Sequence, residues 1–329
     1  MSFLLGTDEA GYGPNFGPLV ISASLWEVPE EVRGDELYER LQTVIAPAAA
    51  RSAKSAGQRV VIADSKVLYQ SQKGLKLLER GLWAAWSLLG APGTPGPRPV
   101  VCGDVWKLLS GADAGPRCEA LCGGWDPLPG PRDLDVAEID TLRPRLREVF
   151  SQAGVRLVDL QSIAIFPGEF NHTVDRSPSK GAALSRWTLQ LVARLIEPLG
   201  NEPISILCDK HGGRDRYVPL LMDSFPDRFI EVVSEGRLLS VYRFGPAERR
   251  VEIAFQAKGE SHLPTALASM ASKYLRELAM HAFNDFWRQH VPDLRPTAGY
   301  PVDALRFKAD IAAAQQSLGI DDRVLWRRK

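Results

Sequence analysis

Two adjacent carboxylates, Asp8 and Glu9, lie between an apolar run and a glycine-rich segment. The run at 3–5 predicts a strand, and Gly11 and Gly13 allow a turn after it, because glycine accepts positive φ without steric cost. Carboxylates are the ligands that hard cations prefer, and backbone N–H groups left bare by glycine can approach a phosphate or a sugar. This combination indicates metal-assisted phosphodiester chemistry.

Asp8 and Glu9 are neighbours in a predicted strand, and successive side chains of a strand point to opposite faces. The two side chains can share a bound cation only if the backbone turns at this point. Alternatively, one of the two residues supplies its main-chain carbonyl. The sequence leaves both arrangements open.

The segment from Gly6 to Pro18 resembles the opening motif of the type 2 ribonucleases H, the family of ribonuclease HII and ribonuclease HIII. That motif reads Asp-Glu-Ala/Val-Gly-x-Gly and is followed by Gly-Pro. Further segments resemble the family's other motifs in the family's order: Asp64-Ser65-Lys66 after a short strand, the apolar run 204–208 ending in Asp209, Lys258-Gly259-Glu260, the helix 268–277, Gly299-Tyr300-Pro301 and Leu325-Trp326-Arg327. The resemblance covers residues 1–90 and 165–329.

The resemblance implies a two-metal nuclease whose carboxylates hold Mg²⁺ or Mn²⁺. The implied catalytic and metal-binding residues are Asp8, Glu9, Asp209 and Glu277. Glu277 occupies a position that resembles an aspartate of the helix motif, and a glutamate as the fourth carboxylate is typical of ribonuclease HIII. Ser269, Lys273 and Glu277 share one helix face, so a surface pair between Lys273 and Glu277 is the alternative. Asp215 and Asp285 are reserve candidates for the fourth ligand.

The glycine loop implies recognition of the 2′-hydroxyl, the group that distinguishes RNA from DNA. In the family, backbone groups of the Gly-x-Gly loop read this hydroxyl, and the middle residue, an arginine in ribonuclease HII, is Tyr12 here. The implied substrate-binding residues are Gly11, Tyr12, Gly13, Asp64, Ser65, Lys66, Lys258, Ser269, Lys273 and Tyr300. Two alternatives stay open, since Tyr300 could be a half-buried core residue and Asp64 could cap the segment that follows it.

Apolar periodicity predicts strands that alternate with helices. The predicted strands are 2–8, 18–27, 59–63, 203–208, 228–233 and a hairpin over 238–256, and the predicted helices are 35–50, 73–89, 136–152, 178–198 and 264–289. A strand that returns in parallel after a helix indicates an α/β fold. Together with the resemblance, this predicts a ribonuclease H-like mixed central sheet flanked by helices, with an inserted segment and a helical C-terminal part.

Glycine and proline interrupt all regular structure at 90–97, and the segment that follows has no counterpart in the compact family core. We therefore divide the chain into the N-terminal part of the core (1–92), an insertion (93–160), the remainder of the catalytic core (161–290) and a C-terminal tail near the substrate groove (291–329). The insertion is either a lid that shapes the substrate site or an elaborated surface loop.

The 329 residues include 40 Lys and Arg and 40 Asp and Glu, so the net charge is zero. Neutrality does not exclude nucleic-acid binding, since phosphates require only a local stripe of basic residues. No apolar run is long enough to cross a membrane, and the N-terminus lacks the pattern of a signal peptide. We expect a cytoplasmic monomer that does not associate with membranes.

These observations predict an endonuclease that hydrolyses the RNA strand of RNA–DNA hybrids or of ribonucleotide-containing duplexes. Its products would carry 5′-phosphate and 3′-hydroxyl ends, as in the family. One alternative is a catalytically lapsed protein on the same fold that binds hybrids or RNA. A weaker alternative is a phosphotransferase of the wider ribonuclease H-like superfold, in which 211–214 would have to act as a nucleotide loop.

Overall fold

The computed structural model describes residues 1–47, 59–69, 74–90, 97, 99, 102–110 and 130–328. Its centre is a seven-stranded mixed sheet in the order β5-β2-β1-β6-β9-β8-β7, and β3 and β4 form a separate ribbon. The strands are β1 (Ser2–Ala10), β2 (Leu19–Val28), β3 (Ile45–Ala46), β4 (Val60–Val61), β5 (Arg156–Ile165), β6 (Ile204–Asp209), β7 (Glu231–Ser234), β8 (Leu239–Phe244) and β9 (Val251–Gln256). In the large sheet, β1, β6 and β9 are parallel, and the other neighbouring pairs are antiparallel.

Helices cover both faces of this sheet. They are α1 (Leu37–Arg40), α2 (Ser65–Leu68), α3 (Lys76–Trp86), α4 (Cys102–Ser110), α5 (Val136–Gln152), α6 (Pro167–Asp175), α7 (Lys180–Ile196), α8 (Val218–Ser224), α9 (Leu263–His290), α10 (Pro301–Ser317) and α11 (Asp322–Leu325). Within the described ranges, no helix has both the length and the apolar character needed to cross a membrane. The predicted fold class, a mixed sheet flanked by helices with a helical C-terminal part, is confirmed.

The alternation of side chains along β1 divides the interior into two apolar layers. Leu4 joins the cluster under α9, and Leu5 joins the cluster under α7. Gly6 faces α9 closely, because an added Cβ would lie only 2.2 Å from the main-chain nitrogen of Thr265. Glycine is required for this approach, which brings the N-terminal turn of α9 directly onto β1.

A third apolar cluster joins the C-terminal helices to the loop after β1. The ring of Phe16 lies 5.3 Å from Phe283, 5.5 Å from Phe307 and 5.1 Å from Trp326, measured between ring centroids. Aromatic pairs at such distances each contribute about 0.5–1.5 kcal/mol beyond the area that they bury. The C-terminal tail is therefore packed against the loop that carries the candidate substrate-binding residues.

The helix predicted over 35–50 is wrong within the residues that are described. Only α1 forms, over four residues, and Ile45–Ala46 instead pair in parallel with β4. The β-branched Val44 and Ile45 favour an extended chain, and Pro47 disfavours the helical conformation of the residue before it. Residues 48–50 lie outside the described ranges.

The apolar pattern does not predict β5, which pairs antiparallel with β2. Its burial does not alternate regularly, and the pairing shifts register at Leu25 and Trp26, so a period of two residues is hard to recognise. The boundary drawn at 160 falls inside this strand.

Described parts of the segment 93–160 also contribute to the core. Trp106 of α4 and Phe150 of α5 belong to the apolar cluster under α9. The prediction that the insertion is a lid or a surface loop falls in part on residues 111–129, which lie outside the described ranges. The division into domains stays a prediction.

Candidate active site

Asp8 and Asp209 stand at the ends of neighbouring parallel strands. The last paired residues of β1 and β6 are Thr7 and Cys208, so the two aspartates that follow are adjacent, with backbones about 4.8 Å apart. Asp8 is in phase with Gly6 and therefore lies on the side of the sheet that α9 covers, which we call the carboxylate face. Asp8 is only 5% exposed. The parallel register thus brings together two acids that are 201 positions apart in the chain.

Glu9 lies on the opposite face of the sheet. β1 does not turn at this point, because Asp8 pairs with Ser22 and Glu9 pairs with Ile21 in regular antiparallel register. The backbone turn that would let both side chains share a cation therefore does not form. This leaves the arrangement in which one of the two residues supplies its main-chain carbonyl. Burial raises the pKa of the Tyr12 hydroxyl, and the charge of Glu9 raises it further, which places Glu9 near that ring.

Ser272 of α9 secures the backbone at Asp8. Its Oγ lies 2.9 Å from the Asp8 carbonyl oxygen and 2.8 Å from the Oγ of Ser22, and all three residues are buried. Sequence reasoning singled out Ser269 but missed Ser272. The signal was available, since residues three apart on a helix are neighbours on its surface.

Glu277 is engaged in other bonds. The Tyr69 hydroxyl donates to its Oε2 at 2.7 Å, and Lys273 forms an ion pair with its Oε1. The Lys273 ammonium also lies 4.3 Å from the centroid of the Tyr69 ring. Burial, followed by the hydrogen bond to Glu277, raises the pKa of Tyr69.

Within the described ranges, the side chains form no group of three or more His, Cys, Asp or Glu residues that could hold a metal ion. The predicted set of four ligands therefore stays a prediction. Both reserve candidates form ion pairs, Asp215 with Lys210 at 3.0 Å and Asp285 with Arg288 at 3.2 Å.

A turn after β9 brings another glutamate to the carboxylate face. Residues 259–261 form a 3-10 turn that packs against β6 and α9. A Cβ added to the glycine of this turn would lie 3.5 Å from Thr265 and 3.8 Å from Leu207, a residue in phase with Asp209. The backbone of Glu260 is therefore close to the strand end that bears Asp209. The motif Lys-Gly-Glu in the sequence was the signal for this residue.

Arg276 of α9 holds the glycine loop in place through buried hydrogen bonds. Its guanidinium is buried and donates to the carbonyls of Pro18 at 2.8 Å and Ala298 at 3.0 Å. Gly11 and Gly17 have positive φ, and a Cβ at either position would lie within 2.9 Å of Arg276. The loop therefore needs glycine both for its backbone conformation and for its contact with this arginine.

The C-terminal tail supports the same loop. Arg327 is 1% exposed, its guanidinium donates to the Pro14 carbonyl, and its main-chain N–H donates to the Asn15 carbonyl at 2.8 Å. Burial, followed by the charge of Arg276, lowers the pKa of Arg327. These buried contacts give the loop one fixed conformation before any ligand binds.

Tyr300 lies at the surface next to Gly13. A Cβ added to Gly13 would be 3.9 Å from the Tyr300 ring, and the tyrosine is 57% exposed. Tyr300 is therefore not the half-buried core residue that was its alternative interpretation. Gly13 and Tyr300 together form an accessible surface at the end of β1.

The Asp64-Ser65-Lys66 segment is attached to α9. The Asp64 side chain accepts from the Lys66 N–H at 2.9 Å and caps α2, as its alternative interpretation predicts. The Ser65 N–H donates to the Oγ of Ser269 at 3.2 Å. Lys66 and Lys258 are exposed. The backbone φ of Lys258 is +65°, which is unusual for a residue other than glycine. The structure therefore gives Asp64, Ser65 and Ser269 structural bonds and leaves two lysines at the surface.

No family model matches the sequence, and no curated protein matches it. Similar solved structures include ribonuclease H2 from Pyrococcus horikoshii, with 16% identity, a TM-score of 0.41 and coverage of 98% of this chain and 92% of the other. Bst ribonuclease HIII in complex with Mn²⁺ has 16% identity and a TM-score of 0.41, covering 99% of this chain and 66% of the other. Ribonuclease HII in a complex with PCNA, from Archaeoglobus fulgidus, has 12% identity and a TM-score of 0.39, covering 99% and 94%. These structures are type 2 ribonucleases H, the family that the sequence motifs resemble.

Proposed function

We propose that the protein is a metal-dependent endonuclease that hydrolyses the RNA strand of RNA–DNA hybrids and leaves 5′-phosphate and 3′-hydroxyl ends. The observation that carries the proposal is the adjacency of Asp8 and Asp209 at the ends of β1 and β6. Two carboxylates on neighbouring strand ends repel each other, and a bound cation relieves that repulsion. The glycine loop that begins directly after Asp8 and Glu9 supplies a surface for the sugar-phosphate backbone.

The donors fit Mg²⁺ or Mn²⁺, because both ions prefer carboxylate and carbonyl oxygens. Asp8 and Asp209 would hold the metal, with a contribution from Glu9. In phosphodiester hydrolysis, such cations activate the attacking water and stabilise the leaving oxygen. Ser272 has a separate part, since it fixes the backbone of Asp8 and so orients this ligand.

For the fourth acid we propose Glu260 in place of Glu277. The backbone of Glu260 lies beside the end of β6, on the same face as Asp209. Both carboxylate oxygens of Glu277 are already bonded, one to Tyr69 and the other to Lys273. Recruiting Glu277 as a ligand would break both bonds.

Recognition of RNA falls to the loop after β1. The N–H groups of Gly11 and Gly13 would bind the 2′-hydroxyl, and Tyr300 would contact the same sugar from the C-terminal tail. Buried bonds from Arg276 and Arg327 hold this loop in place. Little ordering is then required when the substrate binds, and this lowers the cost of binding.

The test is cleavage of an end-labelled RNA–DNA hybrid in Mg²⁺ and in Mn²⁺. We expect the wild-type chain to cleave it and Asp8→Asn to lose more than about a hundredfold in rate, since even groups that only orient a metal ligand are worth ~10–100-fold. Asp285→Asn, at an exposed acid paired with Arg288, is the matched control and should retain the wild-type rate. Cleavage that Asp8→Asn leaves intact would contradict the proposal.

A second candidate is a hybrid-binding protein without catalysis. It is favoured by the bonds to Tyr69 and Lys273 that engage both carboxylate oxygens of Glu277, the fourth acid that the resemblance implies. Hybrid affinity without turnover in either metal would establish this candidate in place of the nuclease. The monomeric state and the cytoplasmic location stay predictions.

A further inference from the structure

A groove opens on the side of β1 that faces away from Asp8 and Asp209, the side to which Glu9 points. Its walls are Tyr12 of the glycine loop, Lys180 at the start of α7 and the loop after β6, with Gly212, Gly213, Arg214 and Arg216. We call it the basic groove. Tyr12 belongs to both surfaces, so the groove continues directly from the loop assigned to the RNA sugar.

The groove concentrates positive charge in a protein whose net charge is zero. The Lys180 ammonium lies 4.4 Å from the centroid of the Tyr12 ring. The Arg214 Nε is buried and has no hydrogen-bond acceptor among the described residues. Asp215, an acid of the groove wall, is paired with Lys210 at 3.0 Å. A groove with this set of groups favours an anionic ligand.

The loop that forms one wall is held in a fixed conformation. Lys210 donates to the carbonyl oxygens of Arg214 at 3.0 Å and Gly236 at 2.6 Å, and its side chain is only 7% exposed. Gly212 and Gly213 have φ values of +60° and +73°, so the turn exposes main-chain N–H groups without side chains to cover them. Buried lysine bonds and bare amides give a preformed surface for phosphate oxygens.

We propose that the basic groove binds the phosphate backbone of the nucleic-acid strand that extends beyond the cleavage site. This inference rests on the proposed function and adds a second contact region to it. A strand that passes the glycine loop at Tyr12 enters the groove, where Lys180 and Arg214 neutralise successive phosphates and the glycine turn donates N–H bonds. The groove contributes affinity and orientation, and the carboxylate face performs the chemistry.

The sharpest test inserts a negative charge into the groove at a matched backbone position. Gly213 and Gly319 both have positive φ, and neither has an atom within 4 Å of an added Cβ. Gly213→Asp and Gly319→Asp therefore make the same backbone and charge change, one in the groove and the other after α10. Binding of a fluorescent RNA–DNA hybrid is measured by anisotropy in the full chain carrying Asp8→Asn, so that the hybrid is not cut.

We expect Gly213→Asp to raise the Kd about tenfold or more, since binding to nucleic acid is dominated by phosphate contacts. Gly319→Asp should leave the Kd unchanged. Equal Kd values for the two variants would overturn the groove proposal. Competition by millimolar ATP at the groove would also overturn it, because it would assign these residues to a free nucleotide.

A second measurement uses the salt dependence of binding. Lys180→Ala with Arg214→Ala should lower the slope of log Kd against log salt by about two, since each phosphate contact contributes ~0.9. The control pair, Arg243→Ala with Arg250→Ala, removes the same charge from β8 and the residue preceding β9 and should leave the slope unchanged. An unchanged slope in the groove variant overturns the proposal.

Failure of the groove and failure of the proposed function give different results. If the wild-type chain cleaves the hybrid while the groove variants bind normally, only the groove proposal is overturned. If the wild-type chain neither binds nor cleaves the hybrid, both proposals are overturned.

Discussion

The two faces of β1 at its C-terminal end carry different sets of charged groups. Toward α9 lie Asp8 and Asp209, and toward α7 lies the groove with Lys180 and Arg214. Asp8 and Glu9 are consecutive in the sequence, yet strand alternation directs their side chains to different sides. The α9 side thus holds two carboxylates that suit a cation, and the α7 side holds the cations of the groove, which suit phosphates, together with Glu9.

The faces also differ in what positions their residues. The carboxylate face is built on long elements, β1, β6 and α9, whose register leaves Asp8 and Asp209 little freedom. The groove depends on a short loop that Lys210 holds in place. We therefore expect changes on the carboxylate face to alter the rate of the chemical step and changes in the groove to alter affinity.

The largest effect should separate two glutamates that the sequence alone does not distinguish. Glu260→Gln removes the acid proposed for the carboxylate face and should lower the rate of hybrid cleavage more than about a hundredfold. Glu277→Gln should lower it less than about fivefold, because this carboxylate is bonded to Tyr69 and Lys273 and acts on stability. The measurement is single-turnover cleavage at saturating enzyme in Mg²⁺.

The reverse ranking of these two variants would return Glu277 to the site and contradict the assignment of Glu260. Thermal unfolding of both proteins provides the control. Glu277→Gln should lower the melting temperature more than Glu260→Gln does, because it disrupts the ion pair and the tyrosine hydrogen bond.

The contact between α9 and β1 can be broken at one glycine. In Gly6→Ala the new methyl group would meet the main-chain nitrogen of Thr265 at 2.2 Å, so the helix must move away from the strand. We expect a loss of at least ~3 kcal/mol in the free energy of unfolding, the upper part of the range for overpacked cores. The measurement is urea unfolding followed by circular dichroism.

Gly319→Ala is the control for this variant. It adds the same methyl group at positive φ but in open space, so its cost of ~1 kcal/mol is backbone strain alone. Equal losses for the two variants would show that α9 does not press on β1 at Gly6.

The wall of the basic groove includes a buried histidine, His211, that stays neutral. Burial, followed by the charge of Arg214, lowers the pKa of His211 to about 3, and its Nδ1 lies 2.9 Å from the Oγ of Ser185. In the unfolded chain the same imidazole takes up a proton below pH ~6.5. Its contribution to stability is therefore complete above that pH and is lost as the pH falls toward 3, by ~2 kcal/mol at pH 5.

This pH dependence is measured by comparing urea unfolding at pH 7.5 and pH 5. His211→Asn removes the titrating group, so the difference in stability between the two pH values should shrink by ~2 kcal/mol. His172→Asn, at an exposed histidine, should keep the wild-type difference. An identical pH dependence in His211→Asn and the wild type would mean that His211 is not held neutral by burial.

The sequence predicts the parallel core because its signals are local and strong. The apolar run that ends in Asp209 and the helix before it require a strand beside β1, and the observed register confirms their pairing. The glycine loop is predicted in part: Gly11 has the positive φ that glycine readily adopts, but Gly13 does not, and Gly17 has it instead. β5 lacks such a signal, because its alternation is interrupted at a register shift against β2.

The site is harder to predict because it depends on which partner each acid finds. Helical spacing makes Glu277 a candidate, but Tyr69 reaches it from a segment 208 positions away, and no local pattern indicates that contact. Likewise, the groove requires α7 and the loop after β6 to meet beside Tyr12, which is a property of the tertiary structure. Motifs therefore name residue types at the site more reliably than they name the ligands.

The smallest expected effect concerns the hydrogen bond between Tyr69 and Glu277 and is tested at the tyrosine. Tyr69→Phe removes the hydroxyl that donates to Glu277 at 2.7 Å and keeps the ring beneath Lys273. A hydrogen bond to a partly buried carboxylate is worth ~1.5 kcal/mol, so the free energy of unfolding should fall by about that amount. The rate of hybrid cleavage should stay within about twofold of the wild type, since the bond lies outside the carboxylate face. A variant that unfolds like the wild type but cleaves slowly would instead place Tyr69 and Glu277 at the reacting phosphate, and the division of labour between the two faces of β1 would have to be redrawn.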